Sequence, residues 1–288
     1  MIKKILLLLM MTAFILAGAE KKTDPATLCI LGSCGGTEPL KGRHHTAWLL
    51  KCGEKLYQFD AGESCAYTAT LAGYDLTQLR AVFISHPHQD HTCGLPHLVM
   101  VRNKLTSRYK RPLAAKPLPI YTPIPSLVRG LQDFLTATTC DRADYREGRN
   151  IIGKDVTDGV IFNDGTIKVE ALHNKHCGAP DKNGKWFAFS YKIETAGKKI
   201  VYSGDIRRIE EMAPFLRDCD LLLMENGHHK PWKIAEKIRK TPEWNVRRLL
   251  FVHHGRHFLN DPQGTAEKTR KTWGKEAGFA SDGMVIKI

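Results

Sequence analysis

Four side chains able to bind a metal fall within six residues, His86-Pro87-His88-Gln89-Asp90-His91. Imidazole nitrogen and carboxylate oxygen together suit zinc, iron or manganese. The run follows Ala81-Val82-Phe83-Ile84, an apolar stretch that reads as a short buried strand. Pro87 cannot continue a central strand, so the chain turns there and the side chains can converge. His86 and His88 can point to one centre, Asp90 and His91 to a second. A solvated, His-rich loop is the plain alternative, but the spacing His-x-His-x-Asp-His is among the more specific metal signatures.

The hexapeptide resembles the defining motif of the metallo-β-lactamase fold superfamily. That resemblance implies a later His, a later Asp and a final His, each at a strand end. His176 follows Val169-Glu170-Ala171-Leu172 and is similar to the family's third His. His173 competes with it, and His176 is favoured because it lies past the strand end, in the loop. Asp205, in Tyr202-Ser203-Gly204-Asp205, is similar to the Asp that touches both metals, with an ordinary turn Asp as the alternative. His253 is the first His after Leu249-Leu250-Phe251-Val252 and is favoured over His254. The implied shells are His86, His88 and His176 on one metal and Asp90, His91 and His253 on the other, with Asp205 shared. The implied cofactors are two divalent ions, zinc first, manganese or iron otherwise. A hydroxide bridging them would be the nucleophile, and Asp90 would orient it and take its proton. Asp60, by the same resemblance, supports the motif loop from behind and is no ligand.

Within the superfamily the chain is most similar to the ribonuclease Z-like and phosphodiesterase-like branch. The similarity rests on Leu31–Gly36, Phe59–Glu63, Pro117–Tyr121, and Tyr202–Asp205 followed by Arg207. Asp220–Glu225 looks like the strand that precedes that branch's catalytic His-Glu pair, but Met224 replaces the His and only Glu225 is kept. His228 or His229 takes the general-acid role, or both are surface residues. His44 and His45 line the substrate cleft or are plain loop residues, and Arg256 and His257 are weaker candidates of the same kind.

The termini and composition bear on the substrate. Lys3-Lys4, the apolar run Ile5–Leu16 and Ala17-Gly18-Ala19 have the order of a cleaved signal peptide. The run is shorter than the roughly 20 residues of a membrane span. Residues 1–19 are therefore expected to be removed, with an uncleaved anchor as the lesser alternative, leaving residues 20–288 as one hydrolase domain, periplasmic or secreted, without a stable membrane anchor after cleavage. Removing Lys3 and Lys4 lowers the formal charge from +13 to +11. Between His91 and Gln132 there is no acid, yet there are Arg102, Lys104, Arg108, Lys110, Arg111, Lys116 and Arg129. Such a face gathers anions or is simply solvated. Only Tyr109 and Tyr121 interleave it, so a base-stacking surface is not evident and nucleic acid is not favoured as a partner. An exported route and the lack of a long Gly/Pro-rich arm both argue against tRNA. The expectation is an exported dinuclear metal-dependent hydrolase, a phosphodiesterase acting on an anionic small molecule or phosphodiester. A lactonase or other ester or β-lactam hydrolase is the first alternative. A non-catalytic nucleic-acid or surface-binding module with structural metals is the second. The eight cysteines permit disulfides, there is no Cys-x-x-Cys, and the oligomeric state is open.

The elements that must position these residues alternate hairpins with helices. Expected strands are Thr27–Leu31, Thr46–Leu50, Lys55–Phe59, Leu118–Tyr121, Thr166–Leu172, Trp186–Glu194, Lys198–Tyr202, Asp220–Met224, Arg247–Val252 and Met284–Ile288. Expected helices are Ser64–Ala72, Gly94–Leu105, Ser126–Leu135, Arg208–Leu216, Pro231–Lys240 and Pro262–Trp273. Thr139–Gly159 reads as a loop or lid. A parallel doubly wound sheet would not have the hairpins. The order fits an α/β fold, an αββα sandwich of two mixed β-sheets flanked by helices.

Overall fold

The computed structural model describes residues 26–138 and 150–288. The expected signal peptide, Met1–Ala19, and residues 139–149 of the expected loop lie outside the described residues.

Two seven-stranded mixed sheets face each other. The first holds β1 (Ala26–Gly32), β2 (Ala47–Cys52), β3 (Lys55–Phe59), β4 (Leu79–Phe83), β5 (Leu118–Thr122), β6 (Ile151–Asp155) and β14 (Val285–Lys287), in the order β14-β1-β2-β3-β4-β5-β6. The second holds β7 (Gly159–Asn163), β8 (Ile167–His173), β9 (Phe189–Thr195), β10 (Lys198–Tyr202), β11 (Leu221–Asn226), β12 (Leu249–His254) and β13 (Gly278–Phe279), in the order β13-β12-β11-β10-β9-β8-β7. Hairpins make the antiparallel pairs. Ala196 and Gly197, with φ of 49° and 71°, form the tight turn joining β9 to β10. Helical crossovers make the parallel pairs β3–β4, β4–β5, β10–β11 and β11–β12.

Period-2 alternation divides each strand between two cores. Trp48, Phe59, Phe83, Tyr191, Tyr202, Leu223 and Val252 fill the space between the sheets. Trp48 stacks on Phe59 at 4.1 Å between ring centroids. On the outer face of the first sheet, Leu49, Val82 and Ile120 pack under α1 (Cys65–Leu71), α3 (Leu95–Tyr109) and α4 (Pro125–Ala137). On the outer face of the second, Leu222 and Phe251 meet α5 (Ala213–Leu216), α6 (Pro231–Lys240) and α8 (Pro262–Trp273). The molecule is thus the expected αββα sandwich. Two short helices, α2 (Gln89–Thr92) and α7 (Arg256–Leu259), complete the described set.

Three boundaries differ from expectation for physical reasons. The end of the expected loop Thr139–Gly159 is ordered as β6, and β7 starts at its last residue. Both are edge strands whose side chains are mostly half-exposed or exposed, so their sequence shows no alternation. The strand expected from Trp186 begins at Phe189, because Asn174–Ala188 form the wide loop that carries His176. The helix expected over Arg208–Leu216 is a 3₁₀ turn at Ile209–Met212 followed by α5, with Pro214 in its first turn. Seven cysteines among the described residues are free, and Cys140 lies outside them.

Candidate metal centre

The hexapeptide leaves β4 at one end of the sandwich, and both sheets grip it. Phe189 N–H donates to the Ser85 carbonyl at 2.9 Å, and the Tyr191 hydroxyl to the Ile84 carbonyl at 2.7 Å. His86 follows directly and is fully buried. The chain then turns into α2, whose first turn carries Asp90 and whose last carries His91.

Behind the loop lies the Asp60 carboxylate, completely buried at φ 49°. Its Oδ1 accepts the Ser85 N–H at 2.7 Å. Its Oδ2 accepts the Ser85 hydroxyl at 2.8 Å, His91 Nδ1–H at 2.8 Å and the Tyr202 hydroxyl at 2.6 Å. The bond to His91 fixes the tautomer and leaves Nε2 with its lone pair facing the centre. This is the supporting place expected of Asp60.

Two groups of side chains that include residues of the hexapeptide offer ligand atoms within 4.8 Å of one another: His86, His88, His176 and Asp205, and Asp90, His91 and His253; a third, Asp205, His228 and His253, overlaps them. Asp205 joins them. Its Oδ2 is 3.6 Å from His86 Nε2 and 3.5 Å from His176 Nε2, and its Oδ1 is 3.3 Å from both His91 Nε2 and His253 Nε2. Asp90 Oδ2 lies 3.2 Å from His253 Nε2 and accepts the Gly36 N–H at 2.8 Å. Burial alone would raise the Asp205 carboxyl, but His253, His91 and His86 hold it well below the ordinary carboxylate range. Burial drives His86 the other way, well below its usual value, with His91 adding to it.

Residues and group fit. His86 Nε2, His91 Nε2 and Asp205 Oδ1 are buried and have no hydrogen-bond partner. A buried polar atom left unpaired costs about 1–3 kcal/mol, and a cation ligated by these lone pairs removes that cost. Imidazole and carboxylate ligands without thiolate suit zinc, manganese or iron.

The remaining candidates separate. His173 is in neither group; it stacks on Trp186 at 4.2 Å and is bonded to Asp158 at 2.7 Å. His254 is also in neither, and its ring bonds Asn226 and the Ala280 carbonyl. His228 lies on the open side, with Nδ1 3.1 Å from Glu225 Oε1 and 3.8 Å from Asp205 Oδ2. The bond to Glu225 raises His228 to about 9. His229 donates from Nε2 to the Ile206 carbonyl at 2.8 Å, with Glu225 Oε1 3.4 Å from the same nitrogen, and it is in none of the ligand groups. Glu225 is wholly buried behind His228, so it positions that ring and does not reach the open side itself. His44 and His45 lie beside Glu63, at 3.7 and 3.8 Å, and in neither group. Buried His45 sits too deep to line an open cleft; His44 is part-exposed. Arg256 pairs with Glu38 at the exposed rim.

Sequence reasoning missed two supports. One is the Tyr202 hydroxyl on Asp60, three residues before Asp205. The other is a pair of glycines against His253. A Cβ on Gly35 would fall 2.3 Å from a His253 ring atom, and one on Gly227 2.4 Å. The ring therefore sits in a slot that only bare backbone leaves open.

The comparisons with known proteins agree with this architecture. A beta-lactamase superfamily domain model matches residues 56–267. Ribonuclease Z of Treponema pallidum is 42% identical over 76 residues, 26% of this chain and 24% of that protein. The chain thus matches about a quarter of that relative's length. Ribonuclease Z of Archaeoglobus fulgidus is 24% identical over 305 residues, 88% of this chain and 95% of that protein. Among solved structures, the metallo-beta-lactamase fold protein YhfI of Bacillus subtilis superposes with a TM-score of 0.70 at 20% identity, over 92% of this chain and 100% of that one.

Proposed function

The chain belongs to the beta-lactamase superfamily, as a hydrolase of the metallo-β-lactamase fold, and on that premise we propose that it is a phosphodiesterase working at two divalent metal ions, zinc first among them. The reading is carried by the convergence of two metal-competent groups on one buried carboxylate, Asp205, with a carboxylate-bonded histidine, His228, beside them. His86, His88, His176 and Asp205 would hold one ion, and Asp90, His91, His253 and Asp205 the other. Ions held there would lower the pKa of a water and polarise the substrate's oxygen.

The chain's own residues supply the proton steps. Asp90 Oδ2, anchored by the Gly36 N–H and 3.7 Å from His91 Nε2, takes the proton of the attacking water. His228 engages Glu225 through Nδ1, which leaves Nε2 to protonate the departing oxygen. A proton delivered to a leaving alkoxide is what phosphodiester cleavage needs. The names of the ribonuclease Z relatives support the same bond class. The substrate is anionic, and the exposed bases Lys104, Arg108, Lys110, Arg111, Lys116 and Arg129 favour its approach, whereas Arg102, expected on the same face, is buried.

A substrate panel tests the reading: a dinucleotide, bis-p-nitrophenyl phosphate, a lactone and nitrocefin, each with zinc and with manganese. Hydrolysis of lactone or nitrocefin alone overturns it. His228→Ala should lower turnover about 10²–10⁴-fold on the dinucleotide. The loss should be smaller on the p-nitrophenyl ester, whose leaving group needs no proton. Export is part of the same proposal and rests on Lys3-Lys4, the run Ile5–Leu16 and Ala17-Gly18-Ala19. Cell fractionation with N-terminal sequencing tests it; a cytosolic protein that retains Met1 overturns it.

A further inference from the structure

Two adjacent histidines end β12, and the alternation of that strand would select the wrong one. Leu250 and Val252 point between the sheets, while Leu249 and Phe251 point to the outer helices. Continued alternation would send His253 outward and His254 inward, toward the centre. The structure does the opposite. Glu225 pairs with Val252 and Asn226 with His254, so His253 is one extra residue, a β-bulge. His253 takes φ 51°, a left-handed conformation that non-glycine residues rarely adopt. The bulge exchanges the two rings. His253 joins Asp90 and His91, and His254 packs outward against Phe258 at 4.2 Å.

A strained residue needs neighbours that over-determine it. The His254 ring is wholly buried between the Ala280 carbonyl and the Asn226 amide. Nε2–H donates to the Ala280 carbonyl at 2.7 Å. The same end of the Asn226 amide faces Nδ1 and two backbone carbonyls, so it is the nitrogen, which donates to Nδ1 at 2.9 Å. In that orientation the same nitrogen lies 3.1 Å from the Val252 carbonyl and 3.2 Å from the His253 carbonyl. The His254 backbone is tied on both sides, by Ser33 O at 2.8 Å and Gly35 N at 3.1 Å. We infer that Asn226 and His254 are positioning residues: together they hold the left-handed bulge that aims His253 at the centre and keeps His254 out of it. The inference builds on the dinuclear reading, and its test separates the two.

Asn226→Asp keeps the shape of the side chain but replaces the donor with a carboxylate facing two carbonyls. His254→Phe keeps the stack on Phe258 and removes both ring hydrogen bonds, which provides a second variant should the first fold poorly. Two readouts are needed. The first is the crystal structure of each metal-free variant, where residue 253 should leave the left-handed region and its ring the slot between Gly35 and Gly227. A ring that stays in the slot in both variants overturns the inference, whatever the metal content. The second is zinc titration against a chelator, with cobalt spectra of the loaded protein. The second ion should bind about 10–100-fold more weakly, the first should be held as in wild type, and the cobalt bands of the second site should change. Both ions bound with wild-type affinity and spectrum, alongside lower thermal stability, would mean a merely structural role and overturn the inference. Wild-type protein that takes up one ion overturns the dinuclear reading, and the metal-free structures still decide the role of Asn226 and His254.

Discussion

Asp60→Asn is the sharpest test of how the centre is held. Asn is among the residues that tolerate left-handed backbone, so the φ of 49° at this position is kept. The carboxylate accepts four hydrogen bonds, one on Oδ1 and three on Oδ2. An amide must put its NH₂ on one side or the other. On the Oδ1 side it meets the Ser85 N–H, which cannot accept. On the Oδ2 side it meets the Ser85 and Tyr202 hydroxyls, which can turn, and His91 Nδ1. That imidazole accepts only by moving its proton to Nε2, the atom that faces Asp205. Either way a hydrogen bond to a charged group is lost, about 1.5–3 kcal/mol of stability. Zinc affinity should fall about 10–100-fold, equivalent to about 1.4–2.7 kcal/mol. Thermal unfolding of the metal-free protein reads the first quantity, and zinc competition with a chromophoric chelator reads the second. Wild-type zinc affinity in the Asn variant would refute the tautomer argument.

Other outcomes follow from particular contacts. Gly227→Ala puts a methyl 2.4 Å from His253 Nδ1, so the ring must move and zinc stoichiometry should drop by about one ion; full stoichiometry with wild-type affinity would show that the slot can widen. Arg102 is fully buried, with Nε and Nη1 unpaired and no carboxylate against it among the described residues. Burial lowers it to about 10. Arg102→Met should therefore leave stability unchanged or raise it by up to about 4 kcal/mol, and a lower urea midpoint would contradict that. Burial would raise Asp164, but the Tyr57 hydroxyl at 2.7 Å, the Thr166 and Ile167 amides and Lys55 hold it below the usual range. A folded value below the unfolded value of about 3.9 gives stability that is complete above that pH and lost as pH falls through the folded value. Asp164→Asn should flatten the acid limb of a urea-midpoint profile below about pH 4, and parallel profiles for the two proteins would exclude the mechanism.

The hexapeptide, its strand and the later Asp205 were legible because each is local: an apolar run, then ligand-type residues where the run ends. The hairpin-and-helix order pointed to two mixed sheets for the same reason. His176 was legible as a residue past a strand end, although the strand expected after it starts three residues later than Trp186. The choice between His253 and His254 depends on a bulge, and nothing in Leu249–His254 signals one, since Asn226 and Ala280 are distant in sequence. β6 and β7 carried no periodic signal because edge strands bury one residue in two at most. The roles of Glu225 and His229 were equally hidden.

The ligand-type residues are divided between the two sheets. β4 of the first delivers His86, His88, Asp90 and His91, while the ends of β8, β10 and β12 of the second deliver His176, Asp205 and His253. Any opening that parts the sheets must pull these groups away from one another. A bound ion then stabilises the docked pair by RT ln(1 + [L]/Kd), about 4.1 kcal/mol at a thousand times Kd. Metal-free protein should show separate hydrogen-exchange protection for the two sheets. Loading should merge them into one cooperative unit, with protection rising in both together.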